Sequence, residues 1–187
     1  MNHFALVMQF LRDRQSFLEE VSKGIRIEYK IVSLLVCSST FIAIYGAIIG
    51  LSNGWAQMLS SAIKLPALYL ITLAICLPTL YFFEIIIVNS KRSFGQYLTL
   101  LLATTSVISV LLLAFAPIVL FFHLSINDYV FFKLLNVIIF ALTGLIGINF
   151  LYRSMTFVID YDEDEKQRSL IIKAWLVLYG FVGSQLG

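Results

Sequence analysis

Apolar residues run almost unbroken through five stretches of this chain, and polar residues gather in the short breaks between them. The stretches cover about residues 31–51, 65–88, 97–122, 129–152 and 170–187. The first four each supply the roughly 20 apolar residues needed to cross a hydrocarbon core about 30 Å thick. Backbone groups in lipid have no water to bond, so continuous runs of this length predict helices. A β-barrel would alternate in shorter segments instead. The expected fold class is therefore all-α, an integral membrane bundle of five transmembrane helices. The breaks carry turn residues, as in Leu51-Ser52-Asn53-Gly54, Asn89-Ser90-Lys91-Arg92-Ser93 and Ser125-Ile126-Asn127-Asp128. Connections this short set successive helices antiparallel and adjacent. The fifth run is the least regular: it holds Lys173, Gln185 and three glycines, and the chain stops inside it at Gly187. It is expected either to span or to lie flat at the interface, and an ending within an apolar run predicts continuation beyond Gly187.

Residues 1–30 have a different pattern. Phe4, Val7, Met8, Leu11, Leu18, Val21 and Ile25 follow i, i+3, i+4, i+7 spacing with one gap at Gln15, and charged residues fill the other positions. This predicts an N-terminal amphipathic interfacial helix, with its apolar side toward lipid, the bundle or a partner protein. It is not a secretory signal: Phe4 to Leu11 meets Arg12, Asp13 and Arg14, and no small-residue cleavage site follows. The organisation read from the sequence is this helix followed by one transmembrane domain over residues 31–187.

Composition supports the membrane reading and excludes others. The chain is 60% hydrophobic and only 13% charged, too little charge to clothe a soluble fold of this length. A formal net charge of +2 without a basic-aromatic patch argues against a nucleic-acid partner. The basic residues also orient the spans. Arg12, Arg14, Lys23, Arg26, Lys30, Lys91, Arg92, Arg153, Lys166, Arg168 and Lys173 fall on one side, and only Lys64 and Lys133 on the other. The positive-inside rule then puts the N-terminus in the cytoplasm. Tyr29, Trp55, Tyr97, Tyr129 and Tyr152 fall near span ends, as an aromatic belt would.

Candidate chemistry is sparse, and no catalytic residue, metal set or cofactor motif is assigned. Cys37 and Cys76 sit in different runs at different depths and read as buried thiols rather than a disulfide. Glu84 is the one acid well inside a span, about a turn from its cytoplasmic end. It reads either as an intramembrane functional acid or as a structural acid that reaches water. His3 and His123 fall on opposite sides and cannot pair on a metal. The acidic run from Asp160 to Glu165 imitates a calcium loop, but Glu165 stands where glycine is required and Ile171 where the bidentate acid is required. It reads as a solvated loop or as a dock for a basic partner. Small residues give a firmer signal. Gly46 and Gly50 form a GxxxG, Gly144 and Gly147 mark the fourth run, and Gly180, Gly183 and Gly187 the fifth. Such positions let helices approach closely, within this bundle or against another protein. Pro78 is expected to kink the second span. Thr99, Thr104, Thr105, Ser106 and Ser109 make the third span hydroxyl-rich; they bond back to their helix, bridge helices or line a polar path.

The stretch from Lys64 to Pro78 resembles the second span of Yip-type membrane proteins, which have five spans and a cytoplasmic N-terminus. The segments Leu11–Phe17, Tyr45–Gly50, Phe131–Asn136 and Phe181–Gln185 resemble a family of cyanobacterial multi-span membrane proteins. That family also carries a WASP-homology actin-binding label, although no Leu-Lys-Lys-Thr actin-binding core occurs in this chain. The resemblance implies a cyanobacterial membrane, thylakoid or plasma, and no reaction. The expected function is a non-enzymatic accessory, scaffold or assembly subunit of a larger, photosynthetic membrane complex such as a photosystem, in contact with membrane lipids. A small transporter or channel using Glu84 and the hydroxyl-rich third span is one alternative. A Yip-like protein that shapes or traffics membrane is another.

Overall fold

The computed structural model describes residues 3–51, 54–88, 93–126, 129–158 and 177. Among them the chain is all-helical, with six helices: α1 (His3–Arg12), α2 (Arg14–Ser22), α3 (Ile27–Gly50), α4 (Trp55–Val88), α5 (Phe94–Ser125) and α6 (Tyr129–Val158). Helices α3 to α6 are long and apolar enough to cross a membrane, and the chain is an integral membrane protein. The fifth expected span, about 170–187, lies outside the described residues apart from Val177, as does the acidic run from Asp160 to Glu165.

Two helices outrun the apolar stretches that predicted them. The second span, expected from about residue 65, begins at Trp55. At about 1.5 Å per residue its 34 residues reach about 51 Å, well beyond a hydrocarbon core. The segment from Trp55 to Lys64 is less apolar but helix-compatible, and it extends the helix ahead of the apolar run. Helix α4 also runs on as a single helix through Pro66 and Pro78. The fourth span, expected to end near residue 152, continues to Val158.

Helix α3 packs along both α4 and α5, and α5 packs along α6. Helix α4 makes its main contact with α3, which leaves its opposite face open. Trp55, Leu59, Ile63, Ile71 and Ile75 line that face and are exposed, as residues meeting lipid tails would be. The larger apolar core lies where α3 and α5 begin and where α4 and α6 end, and includes Leu34, Leu80, Leu100 and Met155. A smaller cluster, Tyr45, Leu112, Ala116, Val119, Phe132 and Ile139, occupies the opposite end.

The N-terminal segment departs from one continuous helix. Asp13 stops α1 and caps α2, its side chain accepting from the Ser16 backbone N–H at 3.2 Å. This break resets the helical phase. Leu6, Val7 and Phe10 of α1 and Phe17, Leu18 and Val21 of α2 face the bundle and join its larger core, while Phe4 and Met8 are left exposed. Helix α2 ends in a Schellman turn: Ile25 N–H bonds Glu20 C=O at 2.9 Å and Gly24 N–H bonds Val21 C=O at 3.1 Å. Gly24 takes the left-handed conformation this turn requires, with φ of 73°.

Candidate functional site

Among the described residues, polar chemistry concentrates where α1, α2 and the first turn of α3 meet. The Schellman turn folds α2 back so that Glu20 faces Lys30, ten positions later in sequence. Lys30 is 3% exposed, deep burial for an ammonium, and its Nζ lies 2.8 Å from Glu20 Oε2. The same Nζ sits 4.9 Å above the Phe17 ring centroid, within cation–π range. Beyond the ion pair and the ring, Nζ has no hydrogen-bond partner among the described residues. Removing Glu20 would leave a buried charge exposed to an apolar wall, while Glu20 itself is partly solvated. The pair is accordingly worth about 1–3 kcal/mol, between an exposed and a fully buried bridge.

A cavity of about 190 Å³ opens beside this pair. Leu6 and Phe17 supply apolar wall, and Gln9, Asp13, Tyr29 and Arg26 supply polar wall. Arg26 is the one non-glycine residue with positive φ among the described residues, at φ 51° and ψ 41°. Left-handed backbone costs an L-residue roughly 1–2 kcal/mol. The strain comes with an arginine side chain on the cavity wall.

Two further ties hold the N-terminal pair in place. His3 Nδ1 lies 2.7 Å from Ser33 Oγ, and its ring stacks on Tyr29 at 5.4 Å. Gln96 at the start of α5 donates from Nε2 to the carbonyls of Val21 and Ser22, each at 3.0 Å. Those carbonyls belong to the last turn of α2, where Val21 C=O also accepts from Gly24 N–H in the Schellman turn. Gln96 Oε1 meanwhile accepts from Ser93 N–H at 3.0 Å, closing a capping box on α5.

The residues singled out from the sequence are dispersed. Gly46 and Gly50 face α4 inside this chain: a Cβ on Gly46 would fall 2.7 Å from Ser61 O, and one on Gly50 would fall 2.6 Å from Met58 Cα. Gly147 faces the Ile108 side chain of α5 at similarly close range. A Cβ on Gly144 would meet nothing within 4 Å among the described residues. Gly183 lies outside the described residues. Glu84 falls on α4 four residues before its end, and its side chain lies outside the described ones. Four of the five hydroxyls singled out on α5 turn back on their own helix, while the buried Ser106 Oγ has no hydrogen-bond partner among the described residues. Thr99, Thr104 and Thr105 bond the carbonyls four residues earlier, and Ser109 bonds Ser106 C=O. Cys37 and Cys76 are buried free thiols. His123 packs its ring 5.1 Å from Phe132. No cluster of metal-ligating side chains occurs among the described residues.

Four residues have structural roles that the sequence reading did not assign: Lys30, Ser93, Gln96 and Asn136. In sequence Lys30 is one of the orienting charges, although Gly24 between Glu20 and Lys30 signals a turn that brings them together. Ser93 and Gln96 spell a capping box in plain sequence. Asn136 is an amide inside an apolar run, a position that needs a partner. It finds one in Tyr45, whose hydroxyl donates to Asn136 Oδ1 at 3.0 Å and links α3 to α6. Comparisons with protein-family models, with curated proteins and with solved structures find no match, and nothing in them bears on the Yip-like or cyanobacterial resemblance.

Proposed function

We propose that this chain is a non-enzymatic accessory or scaffold subunit that binds laterally to a larger membrane complex. The observation that carries the reading is how internal polar groups are used. The hydroxyls of Thr99, Thr104, Thr105 and Ser109 bond their own helix, Tyr45 bonds Asn136, and α1 and α2 lie across one end of the bundle. A bundle arranged this way offers its outer faces for recognition. Of the glycines Gly46, Gly50, Gly144 and Gly147, three are occupied by packing inside the chain, and Gly144 alone meets none of the described residues. On α6, Val137, Phe140 and Leu145 near Gly144 are exposed apolar side chains. They give a partner helix a close-approach surface of the small-residue type. A photosynthetic complex is the partner class that the cyanobacterial resemblance implies. The N-terminus faces the cytoplasm in this reading, because Arg12, Arg14, Lys23, Arg26 and Lys30 gather at one end with Arg153 of α6.

The test is a native gel of gently solubilised native membranes holding the tagged full chain. A discrete larger complex that Gly144→Leu dissolves, while the variant still folds, supports the proposal. Migration of the chain alone sinks it. Transport through Glu84 and the α5 hydroxyls is the competing reading. It predicts a proton flux in proteoliposomes that Glu84→Gln abolishes.

A further inference from the structure

We infer that the cavity between α1, α2 and the start of α3 binds the phosphodiester of a phospholipid headgroup. Four observations converge on it. Lys30 is almost fully buried on the cavity wall, and its ammonium carries three donors. Glu20 engages one of them, and beyond that ion pair no hydrogen-bond partner for Nζ is present among the described residues. Arg26 lines the same cavity from a left-handed backbone, an outlier of the kind that collects at binding sites. The two acids on the wall are already engaged: Asp13 caps the Ser16 N–H and Glu20 pairs with Lys30. Beyond Glu20 the buried Lys30 ammonium keeps further donors, and the exposed Arg26 guanidinium adds its own from the same wall; together they suit an anion rich in acceptor oxygens.

Size and position narrow the anion further. At about 190 Å³ the cavity falls below the roughly 300–1,000 Å³ of pockets for drug-sized ligands, so it suits a phosphate and its immediate ester carbons rather than a nucleotide. It sits at the first turn of a membrane-spanning helix, where the hydrocarbon region gives way to headgroups. Phe4 and Met8 of α1 are exposed apolar side chains on the helix that walls the cavity, and Phe4 packs edge-on against Phe41 of α3. Acyl chains would lie along that apolar flank while the phosphate turns inward to Lys30. Leu6 and Phe17 exclude water from the back of the cavity and strengthen the ionic contact.

The full chain in a neutral maltoside detergent is titrated with dioctanoyl phosphatidylglycerol, with thermal unfolding and native mass spectrometry as readouts. Dioctanoylglycerol, which lacks phosphate, and inorganic phosphate serve as the other probes. Lys30→Met keeps the volume and leaves Glu20 able to reach water; Arg26→Gly relieves the backbone strain, so a purely structural role predicts equal or higher stability for it. The expected result is one saturable lipid adduct with a raised midpoint, weakened about tenfold or more in each variant, and no response to dioctanoylglycerol. Equal lipid binding by wild type and both variants overturns the site. An equal response to dioctanoylglycerol overturns the role of phosphate, and stabilisation by inorganic phosphate alone overturns the lipid as its source.

Discussion

Where α1 and α2 cross the bundle, Phe10 meets Phe17 at 4.7 Å and Phe150 at 5.7 Å, and large side chains from all six helices share one core. At the other end Gly46 and Gly50 let α3 come within atomic contact of the α4 backbone, and the polar link across helices is Tyr45 to Asn136. The first end is held as a water-soluble protein is, by burying aromatic and aliphatic side chains that would otherwise meet water. The second is held as membrane helices are, by close backbone approach where lipid removes the hydrophobic drive. The N-terminal pair adds large side chains to a core shared by six helices, whereas the glycine seam brings the backbones of two membrane-spanning helices together.

Substitutions separate these two mechanisms. Phe10→Ala empties the centre of the larger core and should cost about 3–5 kcal/mol, seen as a lower unfolding midpoint and faster proteolysis of residues 3–22. Gly50→Leu forces a side chain into the α4 backbone and should cost about 1–3 kcal/mol or more, with the N-terminal pair still protected. Gly144→Leu, placed in open space, should leave the isolated chain's midpoint unchanged. Gln96→Ala removes the partner of two α2 carbonyls and should cost about 1–2 kcal/mol, read as faster amide exchange in the last turn of α2 and little change elsewhere. Tyr45→Phe should have the smallest effect among the substitutions that remove an internal contact, about 0.6 kcal/mol, because interhelical hydrogen bonds in membranes contribute little on average. If Tyr45→Phe proved costlier than Phe10→Ala, the contrast between the ends would be wrong.

The four described spans were legible because a hydrocarbon core demands about 20 apolar residues, and that demand is written continuously from Ile31 onward. Their ends were less legible. Trp55 to Lys64 carries no membrane-like run, yet it extends α4 because nothing in it breaks a helix. In residues 3–22 the apolar positions were visible but their phase was not. A single periodicity through Gln15 put Phe4, Val7, Met8, Leu11, Leu18, Val21 and Ile25 on one apolar face; Val7, Leu18 and Val21 are buried, but the break at Asp13 adds Leu6, Phe10 and Phe17 to the buried set and leaves Phe4, Met8 and Ile25 exposed. Local hydrogen bonding set that phase, and hydropathy does not report it. The cavity was illegible for a related reason: Glu20, Arg26 and Lys30 are ordinary charges in sequence until the turn at Gly24 gathers them.

Amide hydrogen exchange on the full chain in lipid nanodiscs tests the capped bundle most directly. Leu6, Val7, Phe10, Phe17, Leu18 and Val21 should be protected to the level of α3, with exchange rising in both helices together when Phe10 is truncated. Rapid exchange across residues 3–22, as for a helix lying free on the bilayer surface, would contradict a cap packed into the core.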